Sequence, residues 1–533
     1  MPLTREQKLD QLSRGSRDFD VVIIGGGITG AGIAREAAGS GLSTLLVEQR
    51  DFAWGTSSRS SKMVHGGLRY LASRHFRLTR DAVRERERLM AEAPGLVDPL
   101  RFVMPHYRKQ FPGPRLFQIL LRVYDRIAGT RSRQRLTTTE TLQWVPGLAT
   151  ENLTAASGFT DAVTDDARLV QRVIEEAEAD GAICLNYLQA DTVLRNSETA
   201  HVTGLRLLDT STDSEGPEVT VNTPLVINAT GAWARQLQQA EAGNARIRPL
   251  RGSHLVLPFR RLPVSCSVSL FHPQDRRPVF AFPWQGTTVL GTTDLDHSEN
   301  LSREPAITRN EVDYLLQISA RLFPGSTVSE QDIIATWAGV RPVVTEGKTR
   351  KPSQENREHV IWADNGLISI AGGKLTTFRL IAREVLERGQ SLMPGFTLRS
   401  DSAPVFSPPP SLERPATISH RNWLRLQGFY GPSLEGVLEA GAHETIAATD
   451  TLWAELSWAG ANTGVVHLDD LMLRRTRLGL ILPRGGEELL AEIRQVCQPL
   501  LEWDDATWDR EQTRYLEIWK ACYSLPAGTG APE

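Results

Sequence analysis

The sequence predicts an α/β protein: a Rossmann-type dinucleotide-binding domain built from separated segments, interleaved with an antiparallel-sheet domain and followed by an α-helical C-terminal domain. Three observations predict it. Phe19 to Glu48, FDVVIIGGGITGAGIAREAAGSGLSTLLVE, reads as strand, glycine turn, helix and second strand. Apolar strands ending at Ala229-Thr230-Gly231 and at Gly372-Gly373 bring small-residue backbone back to the same fold. Beyond a proline-rich break at 403–410 the pattern turns helical and tryptophan-rich. A chain of 533 residues accommodates two or three such domains.

Each part of the first stretch has a physical task. Gly25 permits the tight strand-to-helix turn, and Gly27 lets a pyrophosphate approach the backbone with no Cβ in the way. Gly30 lets helix and sheet pack closely, while the helix N-terminus offers N–H groups and partial positive charge. Glu48, roughly 20 residues on, is placed to accept hydrogen bonds from ribose hydroxyls. The pattern suits NAD and FAD alike; its position at the start of the chain favours the flavin.

Bulk properties remove several classes. A formal charge of −3 gives no overall pull toward nucleic acid. Cys184, Cys266, Cys497 and Cys522 form no CxxC pair, so neither a metal centre nor a disulfide framework is expected, and a reducing, cytoplasmic setting fits. Residues 1–17 contain no apolar signal-peptide core and read as a solvated extension. No run of about 20 apolar residues is present to span a bilayer.

After Glu48 comes a hydroxyl-rich loop, GTSSRSSK at Gly55 to Lys62, then MVHGGLRYL at Met63 to Leu71. Such a loop has much to donate and little to pack, which suits phosphate and ring contacts or a solvent-exposed turn. With an N-terminal dinucleotide fingerprint, this stretch closely resembles the FAD-dependent, quinone-linked glycerol-3-phosphate dehydrogenases, in the wider fold group that includes D-amino acid oxidase. Later landmarks follow in order: DDARLV from Asp165, NATGAWA from Asn228, RGSHLVLP from Arg251, GTTD from Gly291, AGVRPV from Ala338 and AGGKLTTFR from Ala371. The resemblance covers residues 18–395 strongly and the remainder more weakly.

The rest of the chain supplies the frame. Residues 72–93 read as a charge-laced helix with a solvated face. Residues 101–135 hold nine basic side chains against Asp125 alone, interleaved with Phe111, Leu116, Phe117, Ile119, Leu120, Leu121 and Val123. That composition suits an interfacial membrane anchor or a helix burying Phe117, Leu120 and Tyr124 in its own domain; the resemblance favours the anchor. Asp165 and Asp166 start an amphipathic helix and read as structural. Short apolar runs over 245–345 fit an antiparallel sheet walling the substrate side. The expected division is a flavin domain over 18–100, 160–240 and 360–395, and a substrate domain over 101–159 and 241–359. A proline-rich linker then spans 396–415, and a helical domain spans 416–533, with Leu468–Leu482 and Glu487–Leu501 as amphipathic stretches.

Oxidising a secondary alcohol with a flavin requires a proton acceptor, cations for a phosphate and a positive field near the flavin pyrimidine. Lys374, in a Gly-Gly turn opening a helix, suits that field, and Arg341 before Pro342 offers the planar fork a phosphate prefers. By motif match the resemblance implies His254 as the residue nearest the reacting carbon, and Arg69, Tyr70 and Arg357 as substrate contacts. At Arg357 this chain departs from the family, with ENREH in place of an Arg-Asp-Tyr pattern. The expected FAD contacts are Gly25, Gly27, Gly30, Glu48, Thr56, Ser57, Ser58, Ser61, Lys62, His65, Gly66, Ala229, Gly231, Gly373, Lys374, Leu375 and Thr376, bound without a covalent link.

The resemblance implies oxidation of glycerol 3-phosphate to dihydroxyacetone phosphate, electrons passing to membrane quinone at the inner face of the cytoplasmic membrane, and it allows a homodimer. An oxygen-using oxidase and an inactive flavin-binding scaffold are the competing readings. A subunit feeding iron–sulfur partners is disfavoured because no C-terminal cysteine cluster is present.

Overall fold

The computed structural model describes residues 3–14, 18–68, 71, 76–212, 218–235, 246–326, 328–345 and 359–527. Its organising strand is Val21–Ile24, every residue of which is buried. It runs inside a six-stranded sheet ordered Val360–Asp364, Leu367–Ala371, Val226–Asn228, Val21–Ile24, Thr44–Val47, Ile183–Leu185. All pairings are parallel except the first. Parallel strands covered on both faces need apolar side chains at every position, which explains the unbroken VVII and TLLV runs.

The helix Ile28–Ala38 leaves the first strand and is buried along almost its whole length, between the helices Asp166–Ala179 and Phe378–Gly389. Two glycines make the turn possible. Gly25 sits at φ +112°, and a Cβ there would lie 2.7 Å from the Ala229 carbonyl oxygen. A Cβ on Gly30 would lie 1.9 Å from the Gly25 carbonyl oxygen, closer than any side chain can approach.

A second, ten-stranded sheet stands beside the first, built mainly from Val97–Tyr107, Leu153–Thr164, Arg246–Pro258, Ser267–Gly291 and Ala335–Thr345. Its pairings are antiparallel save one, where Ser267 and Val268 run parallel to Phe102 and Val103. A three-stranded antiparallel sheet, Leu188–Arg195, Val202–Asp209 and Glu218–Asn222, flanks the nucleotide sheet.

The N-terminal extension is a largely exposed helix, Arg5–Ser13, closed by a Thr4–Gln7 capping box and docked through buried Leu12 and an Arg5–Asp209 pair. Three sequence expectations change here. The helix Phe76–Glu92 is not merely solvated: Glu85 and Arg86 are buried, paired with Arg379 and Asp161. The proline-rich linker is a strap, with Val405 and Phe406 in the core and Arg35 donating to the Val405 carbonyl (3.0 Å). Leu468–Leu482, expected to be amphipathic, is buried on every side, because Asp51, Asp469 and Asp470 neutralise Arg474 and Arg475 inside the protein.

Replacing Gly30 with alanine should lower the unfolding free energy by about 1–3 kcal/mol, the ordinary cost of overpacking, since helix and strand must separate to admit one methyl. Denaturant titration of the purified variant measures it.

Candidate active site

One cavity of about 1150 Å³ runs from the glycine turn to the ten-stranded sheet. At its first end Gly25, Gly27, Glu48, Gln49 and Gln189 form the wall. Gly27 caps the helix Ile28–Ala38 with no side chain, so the helix N-terminus meets the cavity as backbone. The Glu48 carboxylate accepts from Gly26 N (2.7 Å) and Arg50 N (2.9 Å). Burial raises its proton affinity, with those two N–H groups opposing the rise.

The hydroxyl-rich loop forms the middle of the wall. Thr56, Ser57, Ser60 and Ser61 line the cavity, together with Trp54, Ala229 to Trp233 and Gly372 to Thr376. Ser57 Oγ accepts from Ile28 N (3.0 Å), which ties the loop to the helix start. Thr56 donates to the Val340 carbonyl and Thr376 to the His65 carbonyl (3.3 Å), stitching in the other two segments. Ser60, Trp54 and Trp233 were not anticipated as wall residues.

Four expected cofactor contacts, Gly30, Ser58, Lys62 and Gly66, are absent from the cavity lining and meet protein groups instead. Gly30 serves helix–strand packing behind the wall. Ser58 is buried, its carbonyl accepting from Lys62 Nζ (3.1 Å) and Arg477 (3.1 Å). Lys62 is fully buried, bound to Asp166 (2.7 Å) and lying over the Trp284 and Trp337 rings. Burial, with Arg477 nearby, lowers its pKa to about 8 despite Asp166. Gly66 makes room for the Tyr124 hydroxyl, which a Cβ would approach to 2.1 Å. Its neighbour His65 does line the cavity.

The far end is cationic on one side. Arg341 reaches Asp294 (3.4 Å) and Thr292 (3.2 Å), and Arg277 pairs with the same Asp294 carboxylate (3.2 Å) and donates to its carbonyl (2.7 Å). Asp294 is buried, whereas Arg341 is 24% exposed, so the cluster presents guanidinium to the cavity. Arg277 also approaches Asp275 (3.9 Å), so two guanidinium groups and two carboxylates meet at this end. Arg277 was missed from sequence because its neighbourhood, QDRRPVF, reads as an ordinary polar turn before a strand. Lys374 and Leu375 also line the cavity. The remaining wall is apolar, through Phe102, Met104, Phe111, Leu116, Phe117 and Phe280.

His254 is the largest correction. Its ring is buried, stacked on Trp337 at 4.8 Å, and stands behind the wall rather than in it. Its Nε2 shares a hydrogen bond with Ser61 Oγ (2.9 Å), so its reach into the cavity is through that hydroxyl. Burial, then Arg341 and Lys62, hold the imidazole well below its ordinary pKa. Arg69, Tyr70 and Arg357 lie outside the described residues.

The FAD dependent oxidoreductase family model matches residues 20–387, and that of the C-terminal domain of alpha-glycerophosphate oxidase matches residues 395–508. Glycerol-3-phosphate dehydrogenase 2 of Mycobacterium tuberculosis is 33% identical over 94% of this chain and 88% of its own length. The aerobic glycerol-3-phosphate dehydrogenase of Staphylococcus epidermidis is 36% identical over 71% of this chain and 69% of its own. Among solved structures, that of glycerol-3-phosphate dehydrogenase from Bacillus halodurans complexed with FAD superposes with a TM-score of 0.76 at 25% identity, covering 99% of each chain. The L-alpha-glycerophosphate oxidase of Mycoplasma pneumoniae shares the fold, with a TM-score of 0.55 at 18% identity over 73% of this chain and 97% of that one. The bare helix N-terminus, the returning glycine segments and the sequence matches agree: the chain belongs to the FAD-dependent glycerol-3-phosphate dehydrogenase family.

Proposed function

We propose that this chain oxidises sn-glycerol 3-phosphate to dihydroxyacetone phosphate and hands the electrons to a membrane quinone. FAD is the resident cofactor of the family, and the cavity suits it. Gly25 and Gly27 line it with bare backbone at a helix N-terminus that suits a pyrophosphate, and Glu48 beside them suits the adenosine ribose as an acceptor. Bound FAD supplies the acceptor for the hydride leaving the substrate carbinol carbon.

The observation that carries the substrate reading is the Arg277–Asp294–Arg341 cluster at the far end of the cavity. Asp294 orients both guanidinium groups, and their N–H forks hold a phosphate by charge-assisted hydrogen bonds. Lys374, also in the cavity lining, adds positive field where negative charge accumulates during reaction. His65 takes the hydroxyl proton, since it lines the cavity and His254 does not. His254 orients Ser61.

The quinone reading rests on the apolar side. Phe111, Leu116 and Leu120 line the cavity where it opens beside the helix Pro114–Ala128. That helix buries Phe117, Leu121 and Tyr124 inward and leaves Ile119 57% and Val123 37% exposed, with Arg115, Arg122 and Arg126 alongside. Both sequence alternatives for this segment therefore find support, one on each face. No helix among the described residues is long and apolar enough to cross a membrane. An amphipathic helix seated in the headgroup region instead brings the cavity mouth to lipid-dissolved acceptor.

Anaerobic glycerol 3-phosphate should bleach the bound FAD, while glycerol should not; well-bound FAD that stays oxidised would favour an inactive scaffold. Arg341→Ala should retain FAD yet lose at least about a hundredfold in kcat/KM. Reoxidation by a soluble quinone should outpace reoxidation by oxygen, with peroxide yield as the check; the reverse would indicate an oxidase. Paired Ile119→Glu and Val123→Glu changes should release the protein from anionic vesicles in a flotation assay without slowing FAD reduction.

The buried imidazole adds a pH dependence. Held neutral, folded His254 resists a proton that the unfolded chain accepts below its ordinary pKa of 6.5. The unfolded state then binds more protons, so stability falls as pH drops below about 6.5 and is unaffected above it. The thermal midpoint should fall from about pH 7 to about pH 5 more steeply in the wild type than in His254→Asn.

A further inference from the structure

The helical C-terminal domain places no side chain in the cavity wall, yet it reaches directly under the loop that forms the middle of that wall. Arg477 is the point of contact. It sits at φ +60°, a left-handed conformation that costs a non-glycine residue energy and persists only where surrounding contacts hold it. Here they do. Its guanidinium is 3% exposed and spans Asp165 (3.1 Å), Asp166, the Leu473 carbonyl (2.7 Å) and the Ser58 carbonyl (3.1 Å).

Asp166 carries the contact onward. One of its oxygens accepts from Ser60 N (2.9 Å) and Ser60 Oγ (2.7 Å), and the other from Lys62 Nζ (2.7 Å). Lys62 in turn donates to the Ser58 carbonyl (3.1 Å). Residues 58, 60 and 62 are thus gripped from beneath, while Ser57, Ser60 and Ser61 line the cavity. The set is electrically balanced, with Asp165 and Asp166 against Lys62 and Arg477. Removing Arg477 strands a buried carboxylate, and the nearest group able to move in response is the loop itself.

We propose that Arg477 is a positioning residue for the reaction: the C-terminal domain sets the hydroxyl loop against bound FAD through the Arg477–Asp166–Lys62 network. The inference rests on the reading of the cavity as the FAD site. It gives the helical domain a part in flavin chemistry besides packing.

The test uses full-length holoenzyme with Arg477→Met and Arg477→Lys, and Arg425→Met as reference, which breaks the buried Arg425–Glu455 pair within the helical domain. The readouts are the visible spectrum of bound FAD, FAD retained on gel filtration, the thermal midpoint, and kcat and KM for glycerol 3-phosphate. Arg477→Met should shift and broaden the flavin bands and lower kcat at least about tenfold, with KM changed far less. Arg477→Lys, restoring charge but unable to span both aspartates, should fall between. Arg425→Met should lower the thermal midpoint with an unchanged spectrum and kcat. A wild-type spectrum and kcat in both Arg477 variants, whatever their stability, would overturn the proposal. If Arg477→Met cannot be purified, Arg477→Lys decides alone: an altered spectrum supports it and a wild-type spectrum overturns it. Should the wild type fail to reduce its FAD with glycerol 3-phosphate, the substrate reading falls, while band shape and FAD retention still decide this one.

Discussion

A carboxylate taken out of water must find a cation or lose its charge, and this constraint organises the molecule. Asp51, Asp165, Asp166, Asp469 and Asp470 are all buried where the nucleotide domain meets the helical domain. Asp51 follows the second strand of the nucleotide sheet, and Asp165 and Asp166 open a helix covering it. Arg474, Arg475 and Arg477 come from one short segment near the other end of the chain. Because that segment answers carboxylates from two separate elements, it fixes one domain on the other far more narrowly than apolar contact would. Hydrophobic burial tolerates sliding; bidentate ion pairs do not.

The sequence declared the nucleotide fold well, for a physical reason. Covered parallel strands and glycine turns leave a local signature, and VVIIGGGITG shows both within ten residues. The returns at Ala229-Thr230-Gly231 and Gly372-Gly373 were legible for the same reason, since close backbone approach demands small residues. The order of family motifs supplied the cofactor and the substrate class. What sequence could not supply was direction. Ser57 and Ser58 are chemically alike, yet one lines the cavity and the other is buried, its carbonyl held by Lys62 and Arg477 beneath the loop. His254 and Lys62 carry groups that suit chemistry, and both are sealed behind aromatic rings. Leu468–Leu482 has charge at regular intervals, which signals a wet face unless counter-charges arrive from residues hundreds of positions away.

The cavity itself is divided by polarity. One side ends in Arg277, Asp294 and Arg341, the other in phenylalanine and leucine leading to an exposed apolar helix face. The low dielectric of the apolar side strengthens the field of the cations opposite. The single chamber thus has one polar side and one apolar side. Arg277 lies just before one strand of the sheet and Arg341 within another, and Asp294 brings them together.

The threefold return of the chain to one sheet has a consequence for biosynthesis. Val226–Asn228 pairs with the first strand, and Leu367–Ala371 pairs with Val226–Asn228 in turn. The last cavity wall, Gly372 to Thr376, follows immediately. Until about 376 residues have left the ribosome, the fingerprint helix faces an open sheet edge and a half-built cleft. Cofactor capture is therefore a late event in the life of the nascent chain, and the segment that then locks the hydroxyl loop, around Arg477, is made a further hundred residues afterwards.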